Sequence, residues 1–243
     1  MSSPDLKGRV TLVTGASRGI GYAAAIALAK AGSHVIALAR TQGGLEDLDD
    51  AIRAAGGEAT LVPMDLKQPD GLDQLGSIIN ERFGKLDGLL SNAAQLGEIA
   101  PAPHVALKTW DAVMSVNLTA NYRLIRSLDP LLRASDSGRA VFVTSSVAAS
   151  RKAYWSAYAA SKAGMEALVQ SYANEVGPTN LKINLVDPGR TRTQMRAKAM
   201  PGEDPSTLPA PADLAPMFVD LLSPANTRHN EIISWRDTYM SKA

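Results

Sequence analysis

An α/β fold, one doubly wound parallel sheet of about seven strands with helices on both faces, is what three features of the sequence predict. Short apolar runs alternate with helical patterns along the chain, the order produced when each strand is joined to a parallel neighbour by a crossover helix. No internal repeat and no linker divides the 243 residues, a length that suits a single domain and buries a substantial core. The first strand-like run passes through a glycine-rich turn directly into an alanine-rich helical stretch.

Taken in order, residues 9–13 (Arg-Val-Thr-Leu-Val) read as a short buried strand almost at the N-terminus. The turn is Thr14-Gly15-Ala16-Ser17-Arg18-Gly19-Ile20-Gly21, and the helix it opens spans 19–31. Glycines here permit a tight turn and close approach of backbone to a pyrophosphate, whose charge is favoured at a helix N-terminus. The flanking strand and helix are the context that a dinucleotide site requires, so the sheet is expected to be Rossmann-like. The spacing of Gly15, Gly19 and Gly21 is Thr-Gly-x-x-x-Gly-x-Gly rather than the ordinary G-x-G-x-x-G. Further strands are predicted at 34–39, 59–64, 87–91, 139–144, 181–186 and 230–235, and further helices at 43–55, 70–83, 108–134 and 156–176. The segment 190–213 differs, with Arg190, Arg192, Arg196 and Lys198 followed by Pro201, Pro205, Pro209 and Pro211. So many prolines preclude a continuous helix, and a long irregular segment of this kind is expected to be a lid or binding loop. The expected organisation is one dinucleotide-binding domain over 1–243, with that lid at about 190–213.

Composition narrows the function classes. A net charge of +1 suggests no polyanion partner, so no nucleic acid is expected. The chain has no cysteine, which excludes disulfides and thiol catalysis and fits a reducing compartment. The N-terminus carries no hydrophobic signal region, and no run reaches the ~18 apolar residues of a membrane span. A soluble cytoplasmic protein with no membrane partner and no metal site is expected.

Chemistry enters with Ser145, Tyr158 and Lys162. Tyr158 and Lys162 stand four residues apart in Tyr-Ala-Ala-Ser-Lys, so on a helix they share one face. A free tyrosine keeps its proton to pH about 10, and a neighbouring Lys⁺ is expected to bring that value toward the working range. Ser145, in Thr-Ser-Ser-Val, could hydrogen-bond the same substrate oxygen. Taken alone, the pair is also what an ordinary exposed Tyr and Lys on a helix would give. Tyr154 has no lysine four residues on, and the spacing to Tyr158 favours Ser145 over Ser146.

With the 14–21 turn, Asp65-Leu66, Ser91-Asn92-Ala93-Ala94, Asn117, Ser145, Tyr158, Lys162 and Pro188-Gly189 followed by Thr193, the chain resembles the short-chain dehydrogenase/reductase family. The likeness is to the short-subunit form, from about residue 6 to about residue 235. The order and spacing of these motifs together carry it. One departure is visible: the family usually has Asn-Asn-Ala-Gly where Ser91-Asn92-Ala93-Ala94 stands here, which implies local repacking with cofactor binding retained.

The resemblance implies an NADPH-dependent oxidoreductase (EC 1.1.1.-) interconverting a carbonyl and a secondary alcohol. Hydride would come from the nicotinamide and the proton from Tyr158. Lys162 would lower the Tyr158 pKa and bond the nicotinamide ribose, Ser145 would stabilise the developing alkoxide, and Asn117 would hold a water linking Lys162 to solvent. A mid-helix Asn otherwise needs a partner as a buried structural residue. Cofactor binding is expected at Gly15, Ser17, Arg18, Gly19, Ile20, Gly21, Arg40, Asp65, Leu66, Asn92, Ala93, Lys162, Pro188, Gly189, Thr191 and Thr193. NADP(H) is preferred because Ala39 occupies the place where relatives using NAD carry Asp, and because Arg40 and Arg18 are cations suited to a 2′-phosphate. Asp65 is also a residue type that turns use routinely. A homodimer or homotetramer through helices 108–134 and 156–176 is implied, against which a monomeric sedimentation mass would count.

Gln95, Leu96, Val147, Ala148, Ala149, Tyr154, Trp155 and Met195 are expected to line an apolar, partly aromatic substrate pocket. A medium-sized or aromatic ketone or aldehyde suits it, with Arg151 and Arg196 available to an anionic tail. The 189–213 stretch looks like a bacterial branch of the family without an assigned physiological substrate. The alternative function is an NADP(H)-binding sensor or interaction protein without turnover, against which the intact Ser145, Tyr158 and Lys162 weigh. A purely structural module leaves the glycine turn unexplained, and nucleotide-sugar chemistry calls for a longer C-terminal domain.

Overall fold

A computed structural model describes residues 4–240; the first three residues of the predicted domain and of the N-terminal stretch, and the last three of the chain, lie outside it. Seven strands form one sheet: β1 (Val10–Thr14), β2 (His34–Ala39), β3 (Ala59–Pro63), β4 (Gly88–Ser91), β5 (Arg139–Val143), β6 (Lys182–Asp187) and β7 (Ile232–Ser234). Their order is β3-β2-β1-β4-β5-β6-β7, and every pairing is parallel. Each predicted strand is present, β2 with the bounds expected and the others with ends displaced by at most two residues.

Strands covered on both faces read as continuous apolar runs, and β1 and β5 are buried at every position. On one side lie α1 (Gly19–Lys30), α2 (Gln42–Ala54) and α9 (Pro211–Leu221), packed through Leu28, Leu45, Ile52 and Phe218. On the other lie α3 (Pro69–Phe83), α5 (Ala120–Ala134) and α7 (Ser156–Val176), packed through Leu75, Leu124, Phe142 and Val169. Local signals set the helix ends: α3 begins on Pro69 and stops at Gly84, whose φ of 72° is left-handed, as expected of such caps. The chain order reverses direction between β1 and β4, and in open α/β sheets ligands bind beyond the carboxyl ends of the strands at that point.

Two regions depart from the sequence reading. The predicted helix 108–134 is α4 (Leu107–Met114) and α5 joined through a π-turn at Ser115–Thr119. The segment read as irregular over 190–213 contains α8 (Gln194–Ala199) and a 3₁₀ turn at Pro205–Thr207, and it ends where α9 begins at Pro211. Proline density hid α9. Pro211 is its first residue, a position where the missing N–H costs nothing, and Leu214, Phe218 and Leu221 supply the buried helical spacing. Two one-turn helices, α6 (Val147–Ser150) and α10 (Trp235–Thr238), and a 3₁₀ turn at Ala102–His104 complete the described structure. Among the described residues no helix is long and apolar enough to cross a membrane.

Candidate active site

A cleft of about 1490 Å³ opens at the carboxyl ends of the strands. One wall is the glycine turn. Gly15 and Gly19 adopt φ of 67° and 60°, conformations that a side chain disfavours. Gly21 is glycine for space: a Cβ there would lie 2.5 Å from both Asn92 Nδ2 and Gly15 O. The N-cap of α1, Arg18, offers no side-chain acceptor, so the first N–H groups of that helix remain free to meet an anion. Thr14 Oγ1 accepts from the amides of Asn92 and Ala93, at 3.0 and 3.1 Å. Asn92 Nδ2 donates to Thr14 O at 3.1 Å, and these bonds tie the end of β4 to the turn.

The opposite wall is built by β5 and α7. Tyr158 and Lys162 lie one turn apart on the buried face of α7, 8% and 2% exposed. Lys162 Nζ donates to Val143 O at 2.6 Å and stands 5.9 Å from the Tyr158 ring centroid. The Ser145 hydroxyl hydrogen-bonds the Tyr158 phenol, and Trp155 meets the phenol ring edge-on at 6.0 Å between centroids.

The electrostatics correct one expectation. Burial pushes the Tyr158 pKa up to about 12; the Asp187 carboxylate adds to that, and the Ser145 hydrogen bond opposes it. Burial likewise lowers the Lys162 pKa to about 8, with the Glu166 carboxylate acting against the fall. The protein alone therefore does not bring Tyr158 toward neutrality, because desolvation penalises the phenolate more than its neighbours favour it. Near neutral pH the site holds a protonated phenol beside an ammonium.

The family model for short chain dehydrogenases matches residues 9–204. The chain belongs to the short-chain dehydrogenase family. It is 39% identical over 226 residues to the uncharacterised oxidoreductase YciK of Escherichia coli, covering 92% of this chain and 89% of that protein. A short-chain dehydrogenase structure from Shigella flexneri, complexed with NADP, superposes with a TM-score of 0.92 at 37% identity, over 96% of this chain and 99% of that one. Another, from Escherichia coli CFT073 and complexed with NADPH, does so with a TM-score of 0.90 at 37% identity, with the same coverage of both chains.

In this short-chain dehydrogenase the predicted residues fall in three places. Gly15, Ser17, Arg18, Gly19, Ile20, Arg40, Asp65, Leu66, Asn92, Ala93, Ser145, Tyr158, Lys162, Pro188, Gly189, Thr191 and Thr193 all line the cleft. Gly21 and Asn117 sit behind its surface. Asn117 lies in the π-turn, fully buried; its Oδ1 accepts from Gln95 N at 2.8 Å, and its Nδ2 donates to Gln95 O at 2.9 Å and Ser161 Oγ at 3.0 Å. The side chain thus clamps the loop after β4 to α7. The third group is split: Ala148, Ala149, Arg151 and Tyr154 do not line the cleft, with Tyr154 exposed to solvent, whereas Gln95, Leu96, Val147, Trp155, Met195 and Arg196 do.

Contacts qualify several assignments. Asp65 Oδ1 accepts from Lys67 N at 3.0 Å, the turn role that an Asp offers. Thr193 Oγ1 accepts from Arg196 N at 3.1 Å and caps α8. Arg196 forks onto Glu203 at 2.5 and 2.7 Å, and Arg18 donates to Gln194 at 3.0 Å. At Ser91, where the family usually has Asn, the Oγ donates to Asn121 Oδ1 at 2.6 Å, and Asn121 Nδ2 donates to Asn117 O at 2.8 Å. Sequence reasoning missed Thr14, Asn121, Ser161 and Asp187. Only Thr14, inside the quoted turn, carried a signal that could have found it.

Proposed function

We propose that the chain is an NADP(H)-dependent oxidoreductase that interconverts a carbonyl and a secondary alcohol. The observation that carries the reading is the convergence of Ser145, Tyr158 and Lys162 on one wall of the cleft that the glycine turn closes on the other. The turn fits a dinucleotide: its glycines leave space that a Cβ would fill, and the uncapped start of α1 faces the cleft. Arg18 and Arg40 line the cleft near the end of β2, where Ala39 leaves no acid, and among the described residues neither is paired with a carboxylate. That supports a phosphorylated adenosine ribose, as does the NADP or NADPH in the two related structures.

The bound dinucleotide would supply or accept hydride. Tyr158, held as the phenol, donates its proton to the carbonyl oxygen in reduction and takes it back in oxidation. Ser145 donates a hydrogen bond to the same oxygen as charge develops, an interaction that strengthens toward the transition state. Lys162 presents its ammonium beneath Tyr158, oriented by Val143 O. Asn117 keeps the loop after β4 and α7 in register, and Trp155, Leu96, Val147 and Met195 shield the reacting centre from water. The 190–210 segment acts as the lid, since its Gln194 reaches Arg18 of the glycine turn.

The test is NADPH consumption with a panel of aromatic, quinone, diketone and β-ketoester carbonyls, wild type beside Tyr158→Phe. Turnover that disappears in the variant while NADPH binding persists is the expected result. Tight NADPH binding without turnover of any carbonyl would instead favour the sensor reading.

A further inference from the structure

We propose that Glu166 is a positioning residue for the proton-transfer site, acting through Lys162 to keep it an ammonium. Tyr158, Lys162 and Glu166 occupy successive turns of α7 at a spacing of four residues, which puts all three on one face. The strand opposite holds both charged side chains by consecutive residues. Lys162 Nζ donates to Val143 O at 2.6 Å, and Thr144 Oγ1 donates to Glu166 Oε1 at 2.6 Å. Thr144 is itself fixed, 2% exposed and with its amide on Val186 O at 2.8 Å. The carboxylate is therefore fixed one helical turn beyond the ammonium by a buried tether.

A fully desolvated lysine tends to lose its proton, and losing it would leave Tyr158 without the cation beneath it. Burial does lower the Lys162 pKa, and Glu166 is the one group that opposes the fall. The elements packed around Lys162 bring few other charges. β5 carries Arg139 at its first residue, four positions before Val143 and tied to the carbonyls of Gly138, Asn180 and Pro224. The π-turn is neutral, α4 carries Lys108 and Asp111 on its exposed face, and β6 begins on Lys182 and ends on Asp187, which acts on Tyr158. Glu166 thus sets the upper pH at which the Tyr158–Lys162 pair works. The inference rests on the proposed oxidoreductase reading for its consequence, but the proton on Lys162 is measurable without substrate.

The experiment is the titration of Lys162 in the ligand-free protein by NMR of labelled lysine side chains, with Lys162→Met identifying the signal. Glu166→Gln keeps an oxygen for Thr144 and removes only the charge. Its Lys162 titration should move to lower pH by about one unit, so that at pH 8 about fivefold less of it is protonated. Glu166→Asp should restore most of the shift, and Thr144→Val, which frees the carboxylate, should move it by less in the same direction. In turnover, the alkaline fall of carbonyl reduction should move with the titration, with rates unchanged at acid pH. A Lys162 titration that stays in place in a folded Glu166→Gln protein would overturn the proposal. If wild type reduces no carbonyl, the titration still decides it, and the failure then belongs to the enzyme reading alone.

Discussion

At the N-terminal edge of the sheet, Asp87 accepts from Lys85 at 3.0 Å, Ser135 at 2.5 Å and the Val10 amide at 2.9 Å. Arg9 beside it donates to Ser137 and to Asp87 O, and Arg139 donates to the carbonyls of Gly138, Asn180 and Pro224. At the C-terminal edge of the same strands, Lys162 engages Val143 O, and Tyr158 has Ser145 as its hydrogen-bond partner. Both edges bury charge, but the first turns its carboxylate and most of its donors onto fixed protein partners, leaving only the Nε of Arg9 and of Arg139 unused among its buried side-chain donors, while the second faces the cleft. Buried polar groups bonded to one another specify structure, whereas shifted groups that line a cleft mark chemistry. Variants at the two edges should therefore fail in different ways.

The largest expected effect is at the C-terminal edge. Tyr158→Phe removes the transferable proton and leaves the ring packed against Trp155. Carbonyl reduction should fall by about a thousandfold, within the range for a positioned acid, while the melting temperature and NADPH affinity stay near wild type. A variant retaining a tenth of the activity would remove Tyr158 from the acid role.

At the other edge, Asp87→Asn should reverse the pattern. Three donors face the two carboxylate oxygens, so an amide must turn its NH₂ toward one of them, and Arg9 loses its counter-charge. A loss of about 3 kcal/mol in denaturant unfolding is expected, with kcat of the folded fraction unchanged. Hydrogen bonds from Ser135, Val10 and Lys85 hold the Asp87 pKa below its ordinary value, outweighing burial. Its stabilisation is therefore present above the ordinary carboxylate pKa and is lost as pH falls through the lower folded value, below about 4. If wild type loses stability on acidification below pH 4 and the variant loses as much, Asp87 is not the group responsible.

Between these lies Arg40→Asp, which alters a cleft residue without touching proton transfer. Replacing a cation by an anion near a 2′-phosphate should change the NADPH-to-NADH preference by about a hundredfold in Kd, the order of two charge-assisted hydrogen bonds. Unchanged preference would remove Arg40 from the 2′-phosphate site.

What was legible in the sequence follows the same division. The glycine turn, the strands and the four-residue spacing of Tyr158 and Lys162 are local patterns, and the structure places them as read. The π-turn at Ser115–Thr119 was not legible, because its sequence continues a helical run and only the clamp of Asn117 on Gln95 shows why the helix loosens there. The Tyr158 pKa was misread for a related reason. Spacing reveals that a lysine is near but not how dry the pair is, and here desolvation outweighs the neighbour. Glu166 stands at the same spacing beyond Lys162, yet its place depends on Thr144, which only the fold brings against it.

The smallest effect sharpens the contrast within the C-terminal edge itself. Asp187 raises the Tyr158 pKa from the end of β6, while its Oδ1 accepts from the Gly189 amide at 3.0 Å. Asp187→Asn keeps an acceptor for that amide and removes the charge, so the Pro188-Gly189 turn should hold while Tyr158 gives up its proton more readily. For alcohol oxidation, in which Tyr158 must lose its proton, the rise of rate with pH should begin earlier by less than one unit, a few-fold gain at fixed neutral pH. For carbonyl reduction the rate should change little, because the phenol remains protonated throughout the neutral range. Both nearby acids, Glu166 through Lys162 and Asp187 through Tyr158, favour the protonated form of their neighbour, and both therefore tilt the site toward donating a proton. Rate–pH profiles measured in both directions for wild type and Asp187→Asn check this: an oxidation profile that does not move means solvent in the cleft screens Asp187 from Tyr158, and the tilt then rests on burial and Glu166 alone.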